Sequence, residues 1–277
     1  MMVYQAASSL AGRTLRPYAA RFALPVTLCF ERSAVRELAT MSGSDPLEVL
    51  RKESHGRSLC DKQGCRLPGV HWVMSIALPA NAASTTKAPS LRTIGIERIS
   101  DAGIDFVMKR TSPTARSIEA GLPVSILYSQ GKYLPGESTE QWRGEGHCEL
   151  LPLPEILDLV PSFTMVSMVG SQRAVNTAQN DVLRQTETSG ERMAVPNKSH
   201  LTEIMQTTRM ELENGDINME ELESCIRAFR FQPTRMECML GGPDSIMWDR
   251  WEWLRAVPDE ASDGSIPWRS PNHLVPH

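Results

Sequence analysis

Four potential metal ligands lie close together in the first third of the sequence: His55, Cys60, Cys65 and His71. Two imidazoles and two thiolates form a ligand set that zinc prefers. However, the spacing, H-x4-C-x4-C-x5-H, lacks the C-x2-C pair of the common zinc knuckles. The residues between the cysteines, "DKQG", have the composition of an ordinary loop. The spacing therefore argues against a zinc site.

A second segment, "ENGDINMEEL", is similar to the later half of a calcium-binding EF-hand loop, with Gly215, Ile217 and Glu221 in register. The first ligand positions would then be Met210 and Leu212, whose side chains cannot coordinate a hard cation. We therefore do not expect calcium binding. The sequence also contains no Walker phosphate loop, no G-x-G-x-x-G after a strand and no G-x-S-x-G nucleophile turn.

The segment "MECMLGGPDSIMWDRWEWLR" (236–255) combines three of the six tryptophans with one Asp-Arg pair. The Gly-Gly-Pro-Asp sequence at 241–244 predicts a turn between two strands. In an extended strand Arg250 points to one face, and Trp251 and Trp253 point to the other. We therefore expect a hairpin whose tryptophans pack on the core while Arg250 is available to a ligand.

The elements that position these residues are predicted to be mostly short strands. From about Trp72 onward, short apolar or alternating runs are separated by turn residues. The final strands are expected in "CIRAFRF", "RMECML" and "MWDRWEWLRAV". Many short strands with a few small helices favour a barrel over a doubly wound parallel sheet. The predicted fold class is mainly β with flanking helices.

Several helices are expected between the strands. "DPLEVLRK" has an Asp-Pro start signal, and "SPTARSIEA" has Ser112 as N-cap and Pro113 at the first helical position. "PLPEILDLV" predicts another short helix. The polar region 174–222 is predicted to be helical, with a loop at 187–199.

The composition limits the classes of function. The chain has 277 residues and a formal net charge of −4, so charge gives no reason to expect binding to nucleic acid or to an anionic membrane. The longest apolar candidate, "FALPVTLCF", is too short for a membrane span and contains proline. Six cysteines in a chain of this length do not indicate a disulfide framework, so we expect reduced thiols in an intracellular protein.

The N-terminal segment differs from the rest of the chain. Residues 1–30 contain three arginines and no acidic residue, which is typical of a mitochondrial transit peptide and also compatible with a disordered extension. The predicted location is therefore cytoplasmic or mitochondrial. Residues 31–73 are expected to form a lead-in of short helices and loops before the domain at 74–277.

Six segments of the strand region, taken in order, resemble the pyridoxamine 5′-phosphate oxidase family. "PSLRTIGI" is similar to the family's P-S-x-R-x-V-L-L strand, and "GIDFVMKRTSPTARSIEAGLPVSILY" is similar to the segment that follows it. "EQWRGEG" resembles R-Q-V-R-I-E-G, and "GSQRA" resembles S-x-Q-S. "FQPTRMECMLGGPDSIMWDRWEW" and "HLVP" resemble the C-terminal E-F-W-Q-G…H-D-R and R-L-A-P patterns. The resemblance spans about Met74 to Pro276, with a poorly matched part at 174–224, and implies an FMN-binding split β-barrel that works as a homodimer.

The resemblance assigns flavin contacts to residues at matching positions. Gln141 and Gln172 match two flavin-contacting glutamines, whose amides can both donate and accept hydrogen bonds. Arg250 matches the arginine of the D-R pair. Arg92 matches the arginine of the P-S-x-R strand, a natural partner for phosphate or ring oxygens.

The phosphate end of the implied flavin site departs from the family pattern. Ser112 is present, but Pro113 and Thr114 stand where the family has Arg and Lys. Arg110 and Arg116 are close enough in sequence to substitute, and a helix N-terminus offers free N–H groups. Ser112, Arg110 and Arg116 are therefore the residues expected near the FMN phosphate.

The positions implied for substrate binding depart further. The lysine that ends the family's P-S-x-R strand is Glu97 here, and the Tyr, Arg and Ser that grip the substrate phosphate are Glu155, Leu159 and Phe163. The family's R-L-H falls in Ser245–Trp248, which contains neither Arg nor His. An Arg-to-Leu change removes a charge that would hold a phosphorylated substrate.

Two functions remain open from the sequence. The resemblance implies an FMN-dependent oxidase that forms pyridoxal 5′-phosphate, with the flavin accepting hydride from the C4′ carbon of a phosphorylated vitamin B6 vitamer and passing electrons to O2. The altered substrate positions favour the alternative, a catalytically silent or substrate-divergent split barrel that acts as a binding or dimerisation module.

Overall fold

The computed structural model describes residues 45–70, 72–78, 90–130, 139–182, 198–241, 249–256 and 267–274. The predicted N-terminal extension and the first part of the predicted lead-in lie outside the described residues. The same is true of His71, of most of the predicted loop at 187–199, and of residues 242–248, which include most of the predicted Gly-Gly-Pro-Asp turn.

The described residues contain nine strands that form one antiparallel sheet. The strands are β1 (Val73–Leu78), β2 (Ser90–Gly95), β3 (Arg98–Ser100), β4 (Gly103–Lys109), β5 (Val124–Gln130), β6 (Thr139–Leu151), β7 (Ile226–Gly241), β8 (Asp249–Leu254) and β9 (Asn272–Leu274).

Five α-helices flank this sheet within the described residues. They are α1 (Pro46–Gly56), α2 (Pro113–Glu119), α3 (Ser162–Val182), α4 (Lys198–Asn214) and α5 (Met219–Cys225). The first two begin as the sequence predicts: the side chains of Asp45 and Ser112 accept hydrogen bonds from the free N–H groups of the first turn, and a proline follows each cap.

The strand order is β2-β1-β5-β6-β7-β4-β3, and β8 and β9 extend the sheet from β7. Cα atoms of β2, at one end of this order, lie within 8 Å of those of β4 near the other end, so the sheet curls into a barrel. Along β1 the burial alternates, with Met74, Ile76 and Leu78 buried. The predicted fold class, a mainly β split barrel with flanking helices, is confirmed.

Strand β7 is longer than expected. The sequence predicts two strands there, but Ile226–Gly241 forms one strand of 16 residues that includes Pro233. Pro233 faces Gly146 at an irregularity in the β6–β7 pairing, where a missing N–H is tolerated. A Cβ on Gly146 would lie 2.1 Å from the carbonyl oxygen of Gln232, so only glycine permits this close approach.

The region after β6 also differs in part from the prediction. "PLPEILDLV" forms two short 3-10 turns, Leu153–Glu155 and Leu157–Leu159, instead of one helix. Two prolines in the segment limit the regular backbone hydrogen bonding that an α-helix needs. Among the described residues, no helix has both the length and the apolar character needed to cross a membrane.

The barrel core contains large aromatic side chains. Trp142 of β6 and Trp253 of β8 are fully buried and stack with ring centroids 5.7 Å apart. The rings of Phe106 and Phe229 are tilted against each other, with centroids 5.6 Å apart. Trp251 lies on the same face of β8 as Trp253, but it is only half-buried and contacts His273. Of the two tryptophans that were predicted to pack on the core, Trp253 is fully buried and Trp251 is only partly buried.

This difference predicts unequal costs of truncation. Trp253→Ala is expected to lower the free energy of unfolding by about 3–5 kcal/mol, because it removes a buried indole and its stacking contact with Trp142. Trp251→Ala is expected to cost clearly less, since that ring keeps solvent contact. Urea unfolding of both variants measures the difference. Equal losses would show that β8 packs differently.

Candidate functional site

A cavity of about 400 Å³ lies where β2 approaches the end of β4. Its walls come from β2, the last residues of β4, the start of α2, the first two turns of α3 and the segment that leads into β1. This volume is within the range of small-molecule sites, which are mostly apolar with a few well-placed polar groups.

Two cations line the cavity, Arg92 from β2 and Lys109 from the end of β4. Arg92 lies opposite Ile76 in the β1–β2 ladder and two residues from Ile94, so it is on the face of β2 that faces the barrel. Lys109 is half-buried, and burial lowers its pKa. Within the described part of the chain, neither cation forms an ion pair with a carboxylate.

A second charged pair lines the same cavity. The side chains of Arg66 and Glu97 are 6% and 2% exposed, and Nη2 of Arg66 lies 2.5 Å from Oε2 of Glu97. The angle of approach is not that of a hydrogen bond, and Oε2 has no hydrogen-bond partner among the described residues. Arg66 also donates from Nη2 to the carbonyl oxygen of Leu159, at 2.9 Å.

Burial opposes charge on both members of this pair. It raises the pKa of Glu97 from its ordinary value of 4.5 to about 7, although the nearby Arg66 lowers it in part. Burial likewise lowers the pKa of Arg66. Such a carboxyl group can change its charge near neutral pH.

The remaining walls are mainly apolar. Trp72 is buried, and its indole N–H donates to the hydroxyl of Tyr128 at 3.1 Å. The hydrogen-bond donor of this side chain is therefore already used within the protein. Val107 and Met108 line the cavity from β4, and Phe163 lies on α3 with 63% of its surface exposed. The cavity therefore combines apolar walls with unpaired positive charge.

Of the three residues expected near the FMN phosphate, Ser112 borders the cavity, whereas Arg110 and Arg116 do not. The Ser112 hydroxyl oxygen accepts a hydrogen bond from the N–H of Ala115 at 3.0 Å. Arg110 donates to the carbonyl oxygen of Glu223 at 3.3 Å, and Arg116 is exposed on the far part of α2. Neither arginine lines the cavity. Lys109, the residue before Arg110, lines it.

Gln141 and Arg250 come together elsewhere on the sheet. Both are paired with Met239, one from β6 and the other from β8, so the three residues share one face. Arg250 donates from Nη2 to Glu237 at 2.8 Å and is 39% exposed. Gln141 accepts a longer hydrogen bond, 3.4 Å, from Arg143. Gln141 and Arg250 therefore lie on the same face of the sheet, one on each side of Met239.

This pair does not line the cavity that contains Arg92. Lys109 is paired with Ile226 at the start of β7, whereas Arg250 is paired with Met239 near its end. Thirteen residues of strand separate these two positions of β7, which is about 40 Å along an extended chain. The predicted site residues therefore form two groups within one chain.

Gln172 lies on α3 beside the start of α2. Its amide oxygen accepts from the hydroxyl of Thr111 at 3.2 Å, and its amide nitrogen donates to Asn176 at 3.0 Å. Gln172 therefore contacts the residue that precedes Ser112 in the sequence, although Gln172 itself does not line the cavity.

The residues implied for substrate binding have mixed placements. Glu155 is exposed, and Phe163 lies at the cavity. Leu159 supplies no charge, but its carbonyl oxygen accepts from Arg66, which brings a guanidinium group to this position from another part of the chain. The sequence analysis missed Arg66 because it precedes the matched region. Residues 245–248 lie outside the described residues.

The potential zinc ligands have other roles where the structure describes them. Nδ1 of His55 forms a hydrogen bond with the carbonyl oxygen of Cys60 at 2.9 Å. Burial raises the pKa of the Cys60 thiol to about 11, which disfavours the thiolate that a metal would need.

No protein-family model matches the sequence, and no curated protein matches it. Solved structures with similar folds include PhzG from Burkholderia lata, determined in complex with tetrahydrophenazine-1-carboxylic acid: 16% identity, TM-score 0.48, covering 84% of this chain and 93% of that one. A pyridoxamine 5′-phosphate oxidase-related, FMN-binding protein from Nostoc punctiforme has 11% identity and a TM-score of 0.40, covering 91% and 100%. The heme storage protein HutZ from Vibrio cholerae has 11% identity and a TM-score of 0.30, covering 68% and 91%. At these values the likeness carries no information on ligand or activity.

The buried Glu97 predicts a pH dependence of stability. Because its pKa is about 7 in the folded protein and 4.5 ordinarily, the folded state holds the proton more tightly. The resulting stability is fully present below about pH 4.5 and is lost as the pH rises through 7. Each pKa unit is worth about 1.4 kcal/mol, so the loss is at most about 3 kcal/mol.

Glu97→Gln is the control for this prediction, because it cannot titrate. Removing the carboxylate leaves Arg66 buried without a counter-charge, so the absolute stability of the variant is not informative. The difference between the two proteins in free energy of unfolding is expected to shift in favour of the variant between pH 4.5 and 8. A difference that stays constant over this range would show that Glu97 remains ionised throughout.

Proposed function

We propose that this protein is a divergent member of the pyridoxamine 5′-phosphate oxidase family that binds FMN, with the phosphate of the cofactor in the cavity between β2 and β4. The observation that carries this proposal is the pair Arg92 and Lys109, two cations without carboxylate partners among the described residues. A phosphate dianion supplies the two negative charges that this arrangement lacks.

The residues of the cavity fit such a group. Ser112 can donate its hydroxyl proton to a phosphate oxygen while its oxygen still accepts from Ala115. Lys109 is held at the end of β4, so a phosphate between it and Arg92 would meet both cations from two different strands. The apolar walls formed by Val107 and Met108 suit an aromatic ring system. When bound, a flavin would supply hydride acceptance from a substrate and electron transfer to O2.

We infer that the ring end of the flavin is held by a second copy of the chain, through Gln141 and Arg250. These two residues flank Met239 on one face of the sheet, but they lie about 40 Å of strand away from Lys109 in the same chain. A homodimer can place them over the cavity of the other copy. Arg250 is held by Glu237 with part of its guanidinium group exposed, so it can still donate to a ligand.

The outer face of β2, β1 and β5 supports a dimer. The side chains that share this face are small or apolar and carry no charge: Ser75, Ala77, Leu91, Thr93, Ser125 and Leu127. Leu91 is 69% exposed and Leu127 is 38% exposed. An uncharged face with exposed leucines is typical of a surface that another chain covers.

For the reaction, we propose the oxidation of a phosphorylated vitamin B6 vitamer or a related small molecule. Arg66 reaches the carbonyl oxygen of Leu159, the position at which the family has its substrate arginine, so a cation is still present there. The alternative is a flavin-binding or dimerisation module without turnover. It is favoured by the exposed Phe163 and Glu155, which offer no group for a substrate phosphate.

The cavity predicts which substitutions weaken cofactor binding. Arg92→Ala and Lys109→Ala are each expected to reduce FMN affinity by about 1–3 kcal/mol, the scale of a lost charge-assisted hydrogen bond. Riboflavin affinity should change little, because riboflavin lacks the phosphate. Fluorescence titration of the purified protein measures both. Arg116→Ala is the matched control, since Arg116 is exposed on α2 outside the cavity.

The FMN titration of the wild type, followed by a turnover assay with pyridoxamine 5′-phosphate, decides between the two functions. Wild-type protein that takes up no FMN would contradict the flavin proposal. Bound FMN with release of pyridoxal 5′-phosphate and hydrogen peroxide from pyridoxamine 5′-phosphate would support the oxidase. Bound FMN without turnover of this substrate would support the binding module or another substrate.

A site shared between two copies makes a separate prediction. Arg92→Ala and Arg250→Ala are each expected to bind FMN weakly, because every site in either homodimer lacks one contact. After the two variants are mixed, unfolded and refolded together, about one quarter of the sites should regain wild-type affinity, since half of the dimers are mixed and each contains one intact site. No recovery would place both residues in the same chain's site or remove Arg250 from it.

A further inference from the structure

The Arg66–Glu97 pair sets the net charge of the cavity. When Glu97 is ionised, it neutralises Arg66, and Arg92 and Lys109 remain as the uncompensated cations. When Glu97 is protonated, Arg66 becomes a third uncompensated cation. One proton therefore changes the field that an anionic ligand meets beside this buried pair.

Arg66 stays at the cavity in both states. Its backbone N–H donates to the carbonyl oxygen of Glu97 at 2.8 Å, and its guanidinium group donates to the carbonyl oxygen of Leu159 at 2.9 Å. Neither contact depends on the charge of the Glu97 carboxyl group. Loss of that charge would therefore leave the guanidinium group in place and free to pair with a ligand.

The charged groups around Glu97 leave Arg66 as its main partner. On the β4 side, Glu97 contacts Asp105 through a backbone hydrogen bond of 2.9 Å, but the Asp105 carboxylate is paired with Arg98 and Arg230. Arg92 on β2 and Lys109 on β4 are the other charges of the cavity among the described residues. Among the described residues Glu97 Oε2 accepts no hydrogen bond, and Arg66 is the charge that lowers the pKa of this carboxyl group.

We propose that the Arg66–Glu97 pair is a proton-linked specificity determinant of the cavity, so that protonation of Glu97 releases Arg66 to the ligand and anionic ligands bind more tightly. This proposal depends on the proposed phosphate site, because it concerns the charge of the same cavity. The proposal adds Glu97 to the residues that determine ligand binding. At this position the resemblance implies a lysine, whereas this chain has an acid.

The direction of the effect follows from the burial of Glu97. Burial raises its pKa to about 7, so its charge changes between pH 6 and pH 8. An anion bound beside it favours the protonated form further, because the two negative charges repel each other. Anion binding and proton binding therefore strengthen each other, as reciprocal linkage requires.

Inorganic sulfate and FMN are the probes for the test. Sulfate remains a dianion throughout this pH range, so any pH dependence of its binding belongs to the protein. For the wild type, the affinity for sulfate is expected to be about five- to tenfold higher at pH 6 than at pH 8. For Glu97→Gln, sulfate affinity should be the same at both pH values, and FMN should bind at pH 8 at least as tightly as it binds to the wild type at pH 6.

A second variant and a wild-type measurement cover the case in which Glu97→Gln does not fold. Arg66→Met removes the cation that protonation would release and also the group that lowers the pKa of Glu97. Glu97 should then stay protonated to higher pH, so the sulfate affinity of this variant should lose its pH dependence between pH 6 and pH 8. In the wild type, calorimetry at pH 7 in buffers of different ionisation enthalpy should show net proton uptake when sulfate binds. Absence of proton uptake would contradict the proposal without any variant.

The outcomes separate this proposal from the flavin function. Sulfate binding that depends on Glu97, without any FMN binding, would support the charge switch and contradict the flavin site. FMN binding with the same pH dependence in the wild type and in Glu97→Gln would contradict the switch and leave the flavin site. Sulfate that binds at neither pH would contradict the switch as well.

Discussion

Strand β7 pairs with three other strands, and both groups of candidate ligand residues depend on it. Its first residues pair with β4 and fix Lys109 opposite Ile226, and its last residues separate Gln141 from Arg250. Between these ends, Pro233 lies opposite Gly146 at a register shift. Such an irregularity bends and twists a strand, which is what a sheet needs to curl back on itself and bring β2 against β4. The cavity exists because of that closure.

The cavity concentrates charge where burial makes charge costly. Lys109 is half-buried with a lowered pKa, and Glu97 is almost fully buried with a raised one. Elsewhere in the barrel a buried charge is matched: Asp105 is fully buried but pairs with both Arg98 and Arg230. Two cations without a carboxylate partner among the described residues, beside a buried acid with a raised pKa, are typical of a site that a ligand completes. This contrast within one molecule supports a binding role for the cavity over a structural one.

The outer face of β6, β7 and β8 has a different character. Glu237 is buried beneath Arg235 and Arg250, and both arginines donate to its carboxylate. Partly exposed ion pairs of this kind contribute little to stability, but they restrict the orientation of a long side chain. Glu237 therefore holds Arg250 in one orientation beside Gln141. A ligand that meets this face would find the guanidinium group already positioned.

The sequence by itself determined the features that depend on near neighbours. The caps Asp45 and Ser112 predict where two helices begin, and alternation predicts the face of Trp253, because these signals act within a few residues. The sequence could not show that Trp253 is buried while Trp251 is half-exposed, since that depends on Trp142 of another strand. It also assigned the phosphate end to Arg110 and Arg116 by proximity along the chain. In the tertiary structure neither arginine lines the cavity. The residues that do line it include Lys109, Arg92, Arg66 and Glu97, because closure of the sheet unites residues that lie far apart in sequence.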